Sequence, residues 1–288
     1  MSVYPSAILT KPVPALARHL FFILAKPEAL PEALAQLQQL DCSKAVVGVG
    51  LSLVKALNKN VPALRSFPAM TGPGVDVPST QHALWVWLYG EDRGDLLHRT
   101  HRLEQALAPA LMLVECTEAF RYQAGHDLTG YEDGTENPLG DDAIAAAFAT
   151  DALGGSYAAI QKWTHDLQCF AGYCQTDQDH MIGRRISDNQ EIEDAPEYAH
   201  VKRTAQESFE PEAFIVRRSM PWIEGQTQGL MFLAFGHSLD AFEVQMRRMA
   251  GLDDGIVDGL FKFSRPVTGG YYWCPPLNNQ HLNLTHLL

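Results

Sequence analysis

Nine residues near the middle of the chain, GYEDGTENP (130–138), set three carboxylates, Glu132, Asp133 and Glu136, among two glycines and a proline. The composition is that of a tight polar loop, and Asp-Gly is an ordinary turn pair. The alternative role for such a loop is to hold one carboxylate as an acid–base group. The pattern G-x-x-D-G is weak by itself, since roughly one chain in ten of this length carries it at average glycine and aspartate usage. Further along, FIVRRSMPW (214–222) has the alternation of a strand. On a strand, Ile215, Arg217 and Ser219 share one face and Val216 and Arg218 the other, so Arg217 and Ser219 can enter one pocket. His200 is one of 11 histidines. A lone histidine is more often a satisfied or surface side chain than a ligand.

The elements that must position these residues fall into two series. In the first half, RHLFFILA (18–25), KAVVGVGLS (44–52), HALWVWLYG (82–90) and ALMLVECTEAF (110–120) read as strands. PEALPEALAQLQQL (27–40) and DRGDLLHRTHRLEQAL (92–107) read as helices, the second with a stripe of Leu96, Thr100, Leu103 and Leu107 ended by Pro109. The order is β-α-β-β-α-β. The second half repeats it. GGSYAAIQKW (154–163), AFIVRRS (213–219), GLMFLAFG (229–236) and GGYYW (269–273) read as strands. A mixed, helical stretch runs to about residue 181, and SLDAFEVQMRRMAG (238–251) is a helix capped by Ser238 and Gly251. Two such units define an α+β chain of two ferredoxin-like domains with antiparallel sheets. The boundaries fall at 1–125, a linker at 126–150 that carries the carboxylate loop, and 151–288. Clefts between domains are favoured ligand sites.

Composition narrows the function classes. The 288 residues suffice for a sizeable core, and 46% hydrophobic with 19% charged residues is ordinary for a globular chain. The formal net charge of −12 argues against nucleic acid and against anionic membranes as partners. Prolines at 5, 12 and 14 interrupt the N-terminal stretch, no leader pattern is present, and no apolar run is long enough to span a bilayer. The five cysteines form no C-x-x-C pair. They read as free thiols of a reducing cytoplasm, not as a disulfide frame or a zinc site.

Extended in both directions, DLTGYEDGTENP (127–138) resembles the signature loop of the dye-decolorizing peroxidases, haem enzymes built from two ferredoxin-like domains. MIGRR (181–185), AHVKR (199–203), FIVRRSMPW (214–222) and RPVTGGYYWCPPL (265–277) resemble later segments of that family in the same order. The compact length is most similar to the bacterial class B group. The resemblance implies one haem b per chain, in a cleft associated with the C-terminal domain. It implies His200 as the iron ligand, Asp258 of GIVDGLF (255–261) as the partner of that histidine, and Arg203 as a propionate contact. It further implies Asp133 as the distal acid–base residue, Arg217 as the distal arginine and Ser219 as a small polar residue lining the distal pocket. Gly134 and Thr135 are expected against the cofactor, the glycines at 130 and 134 allowing a close backbone approach.

These roles are chemically coherent. An imidazole ligand is tuned through its other ring nitrogen. Peroxide cleavage needs a group that moves a proton between the two oxygens, and a cation that stabilises the departing one. The activity implied is oxidation of dyes, phenols and similar one-electron donors by hydrogen peroxide. Because a carboxylate stays ionised at lower pH than an imidazole, activity is expected to extend into acid. Homo-oligomers occur in the family, and the apolar C-terminal tail HLNLTHLL (281–288) is a conceivable docking segment for an encapsulin shell. The alternatives are a haem-handling protein with incidental peroxidase activity, and a two-domain binding protein without haem. Glu132 and Glu136 read as solvated or structural, Arg218 as an ion-pair residue, and Met246 and Met249 as wall packing.

Overall fold

The computed structural model describes residues 4–288. Met1, Ser2 and Val3, which begin the stretch read above as lacking a leader, lie outside the described residues. The first series comprises strand β1 (Leu16–Leu24), helix α1 (Leu30–Gln38), β2 (Ala45–Val49), α2 (Leu51–Ala56), a small hairpin β3 (Met70–Gly72) and β4 (Val75–Val77), β5 (Leu84–Gly90), α3 (Arg93–Leu107) and β6 (Leu111–Phe120). Four of its strands pair side by side as β2-β5-β1-β6, all antiparallel. Helix α3 buries the stripe the sequence predicts, Leu96, Thr100, Leu103 and Leu107. Its start is capped by Asp92, whose Oδ1 accepts from Asp95 N at 2.9 Å.

The second series opens with α4 (Gly140–Ala147), inside the stretch read as a linker. It continues through β7 (Ser156–His165), α5 (Leu167–Ala171), α6 (Gln175–Ile182), α7 (His200–Arg203), β8 (Val216–Arg217), β9 (Met220–Glu224), β10 (Thr227–Gly236), α8 (Asp240–Met249), β11 (Ser264–Pro266) and β12 (Gly270–Cys274). Here β12, β7, β10 and β9 lie side by side, again antiparallel. The strand expected over 213–219 is only two residues long. The chain breaks after Arg217, and β9 resumes as a separate strand along β10. Arg218 at the break is buried and donates to the carbonyls of Ala7, Thr10 and Pro12, so it satisfies backbone oxygens near the N-terminus and forms no ion pair among the described residues. Helix α8 carries no side-chain cap; Ser238 does not act as one.

The two sheets join at both edges. Val49 pairs with Trp273 and Ala119 with Trp222, while β10 returns to β7, so eight strands run round a closed ring. Alternation along the strands then separates two cores. Phe21, Trp85, Trp87, Leu233, Phe235 and Tyr272 fill the inside of the ring. Leu20, Phe22 and Val86 point outward to the core under α1 and α3. Among the described residues no helix is long and apolar enough to cross a membrane.

A titratable imidazole sits in the ring. His19 is fully buried, with its imidazole stacked between Trp85 and Trp87 at 6.1 Å from each ring. Neither ring nitrogen has a hydrogen-bond partner among the described residues. Burial without a compensating charge pushes this imidazole down to about 3. The unfolded chain binds a proton there near pH 6.5, and the folded chain does not until far lower pH. Stability contributed by a neutral His19 is therefore present above pH 6.5 and is lost as pH falls towards 3, by about 1.4 kcal/mol per pH unit. We expect His19→Leu to remove this slope. Between about pH 6.5 and about pH 4.5 the wild type should lose about 2.3 kcal/mol relative to the variant in denaturant unfolding. An equal loss in both proteins would sink the assignment.

Candidate active site

On the outer face of the second sheet, Gln161, Trp163 and His165 of β7 and Leu230 and Phe232 of β10 form one wall of a cavity. Met246 and Met249 of α8, with Leu260 and Phe263, form another, as apolar packing. The cavity holds about 860 Å³ counting its open mouth, within the range of ligand pockets. Three of the expected residues reach it: His200, Asp133 and Arg217.

His200 heads the short helix α7. Its Nδ1 lies 2.8 Å from Oδ2 of Asp258, a residue only 1% exposed. The other carboxylate oxygen, Oδ1, accepts from Leu260 N at 2.8 Å and caps the turn Gly259–Lys262. A carboxylate accepts only, so Nδ1 donates, and in the neutral imidazole Nε2 is then the nitrogen with the lone pair. Nε2 makes no hydrogen bond among the described residues. Asp133 and Arg217 approach to 3.9 Å, Oδ1 to Nε, which is close enough for attraction and too far for a hydrogen bond. The Asp133 carboxylate accepts no hydrogen bond among the described residues, whereas its wall neighbours are committed. Glu132 accepts from Asn189 at 3.0 Å, and Asp127 from Thr129 and His165.

An apolar slot that contains one imidazole with a free Nε2, together with an uncommitted carboxylate and a guanidinium, fits a flat apolar macrocycle whose metal takes a single nitrogen ligand. The donor set thus agrees with haem. Among the described residues no group of three or more His, Cys, Asp or Glu is arranged to hold a bare metal ion, and the five cysteines are unpaired.

The other expected residues are placed differently. Arg203 is 4% exposed and does not line the cavity. Its two terminal nitrogens grip both oxygens of Asp254 at 2.7 and 2.8 Å and the Arg248 carbonyl at 2.7 Å, while its buried Nε has no partner among the described residues. Ser219 is buried off the wall, its hydroxyl without a partner, because the break after Arg217 ends the strand alternation. Thr135 lines an adjoining opening that shares Asp133, His200 and Arg217 with the main cavity. Gly134 has φ +74°, and the room its missing Cβ leaves is taken by the amide of Asn137 at 2.9 Å. Glu136 and Arg184 are paired with one another at the same opening.

The sequence reading missed a buried polar chain on the wall. His165 bonds Ser264 Oγ through Nδ1 at 2.6 Å and Asp127 Oδ1 through Nε2 at 3.0 Å. Burial raises the Asp127 carboxyl, but the bond and charge of His165 and two bonds from Thr129 outweigh it and hold it below the ordinary carboxylate range. Asp127 opens DLTGYEDGTENP and His165 ends β7, so both stood beside recognised motifs, but nothing in their spacing joins them.

Comparison with known proteins is consistent with this geometry. A family model described as Dyp-type peroxidase, C-terminal, matches residues 124–279. Dye-decolorizing peroxidases of Mycolicibacterium paratuberculosis and Mycobacterium tuberculosis are each 30% identical over 225 residues. These matches cover 75% of this chain and 64% and 67% of the relatives, so the chain spans about two thirds of their length. A DyP-type peroxidase structure from Shewanella oneidensis superposes with a TM-score of 0.89 at 27% identity, covering 100% of this chain and 98% of that one. A variant of DypB from Rhodococcus jostii RHA1, solved in complex with heme, gives 0.84 at 25% identity, covering 96% and 97%. The chain belongs to the Dyp-type peroxidase family.

Proposed function

We propose that the protein is a haem-dependent peroxidase that uses hydrogen peroxide to oxidise dyes, phenols and similar one-electron donors. The observation that carries this reading is the shared cavity of His200, with its free Nε2, and the Asp133–Arg217 pair. When bound, haem supplies an iron that coordinates peroxide and draws oxidising power from its O–O bond.

The chain's residues supply the rest. His200 Nε2 would ligate the iron, and the Asp258 bond at Nδ1 would orient the ring and raise its basicity. Asp133 would take the proton from one peroxide oxygen and deliver it to the other. Its carboxylate suits this because no competing hydrogen bond holds it. Arg217 would stabilise the charge that develops on the departing oxygen. The phenyl, indole and thioether walls exclude water from the slot. Cytoplasmic residence fits five unpaired thiols, and a homo-oligomer fits the family.

We expect Asp133→Asn and Arg217→Leu each to slow the second-order reaction with peroxide by about 100-fold or more, read by stopped-flow absorbance of the haem-loaded protein. Wild-type rates in both variants would overturn the distal assignment. His200→Ala should fail to hold haem with the wild-type spectrum. Asp258→Asn should keep haem and cost about 10- to 100-fold in activity or affinity, with a raised reduction potential in spectroelectrochemical titration. An unchanged potential would separate Asp258 from the proximal role.

A further inference from the structure

Asp133 and Arg217 must keep one spacing, yet they come from unlike places. Asp133 lies on a loop. Arg217 ends β8, a two-residue strand that pairs with β10 on one side only. The open side of such a strand leaves an N–H and a C=O to be satisfied. At Arg217 one side chain takes both. Asn137 Oδ1 accepts from Arg217 N at 2.8 Å, and Asn137 Nδ2 donates to Arg217 O at 2.8 Å. A primary amide presents a donor and an acceptor side by side, as a peptide does, so Asn137 stands where a further strand would pair.

Asn137 is itself fixed. It is 8% exposed, and its own N–H donates to Gly134 O at 3.1 Å. Gly134, with no Cβ, is what leaves space for the amide. A second buried amide repeats the device one residue away. Gln206 Oε1 accepts from Ile215 N at 2.8 Å, and its Nε2 donates to Glu136 O at 2.8 Å. Residues 136 and 137 of the carboxylate loop are thereby stitched to residues 215 and 217 of the arginine segment. Asp133 and Arg217 make no hydrogen bond to one another that could do this.

We infer that Asn137 is a positioning residue for peroxide cleavage: through the Arg217 peptide it fixes the spacing between the Asp133 carboxylate and the Arg217 guanidinium. The inference rests on the peroxidase reading above. Gln206 supports the same stitch from behind.

The test places Asn137→Ala in the haem-loaded wild type and in an Arg217→Leu background. In the wild type the second-order rate with peroxide should fall about 10- to 100-fold, with the KM for a reducing dye unchanged. Hydrogen–deuterium exchange at the Arg217 amide should quicken in both haem-free and haem-loaded protein. In the Arg217→Leu background Asn137→Ala should cause no further fall, because its route runs through Arg217. Asn137→Asp keeps the acceptor for the N–H and the side-chain volume but loses the donor, so its rate should fall between the two. It also answers the question if the alanine protein does not fold. Equal losses in both backgrounds, or faster exchange with an unchanged peroxide rate, would overturn the inference. A wild-type holoprotein inert to peroxide would instead overturn the peroxidase reading.

Discussion

A β-sheet has two faces, and both must be covered. In the ring described here the inner faces cover one another with Trp85, Trp87, Phe235 and Tyr272. The outer face of the first sheet lies under α1 and α3. The outer face of the second is covered only in part by α8, because the chain between β7 and β8 forms three short helices, α5, α6 and α7, instead of one long crossover helix. The uncovered strip is the cavity wall, and α7 brings His200 to it. Apolar walls that meet no partner forgo dispersion contacts. A flat apolar ligand would restore them, so filling this site is coupled by mass action to the stability of the whole ring.

Polar groups around the cavity follow the same rule of coverage. Asp258 and Asp127 spend both oxygens on named donors, and Arg203 and Arg184 spend their terminal nitrogens on named acceptors. Leaving any of them unpaired at low exposure costs about 1–3 kcal/mol. Among the carboxylates lining the cavity, Asp127, Glu132 and Asp133, only Asp133 accepts no hydrogen bond among the described residues, and an uncommitted carboxylate is one that can take and give a proton.

Much of this was legible in the sequence, for reasons that differ by element. Helix α3 was readable because Leu96, Thr100, Leu103 and Leu107 recur at helical spacing. The strand order followed from alternation and turn signals. That His200, Asp133 and Arg217 line one cavity could be expected only from the order of several motifs, since none is distinctive by itself. The failures are long-range. Arg203 prefers Asp254, 51 positions away, and Asn137 bridges 80 positions to Arg217. No local pattern encodes either pairing. The break after Arg217 was hidden because AFIVRRS (213–219) contains no glycine or proline to mark it. The edge-to-edge closure of the two sheets rests on two residue pairs, which no periodicity reveals.

The loop at 130–138 shows how a catalytic group can be precise without standing on a helix or strand. Rigid elements normally hold such groups because loops move. Here the neighbours of Asp133 are fastened to residues distant in the chain. Tyr131 donates to Asp179 of α6, and burial followed by that carboxylate pushes its phenol well up, so the donor stays protonated. Glu132 accepts from Asn189, and Glu136 is held by Arg184. Asn137 grips the Arg217 peptide. The surplus carboxylates of GYEDGTENP are therefore anchors. With every flanking residue committed, the backbone at Asp133 is over-determined while its side chain stays free. A proton shuttle has that same requirement: a fixed origin and an unoccupied carboxylate.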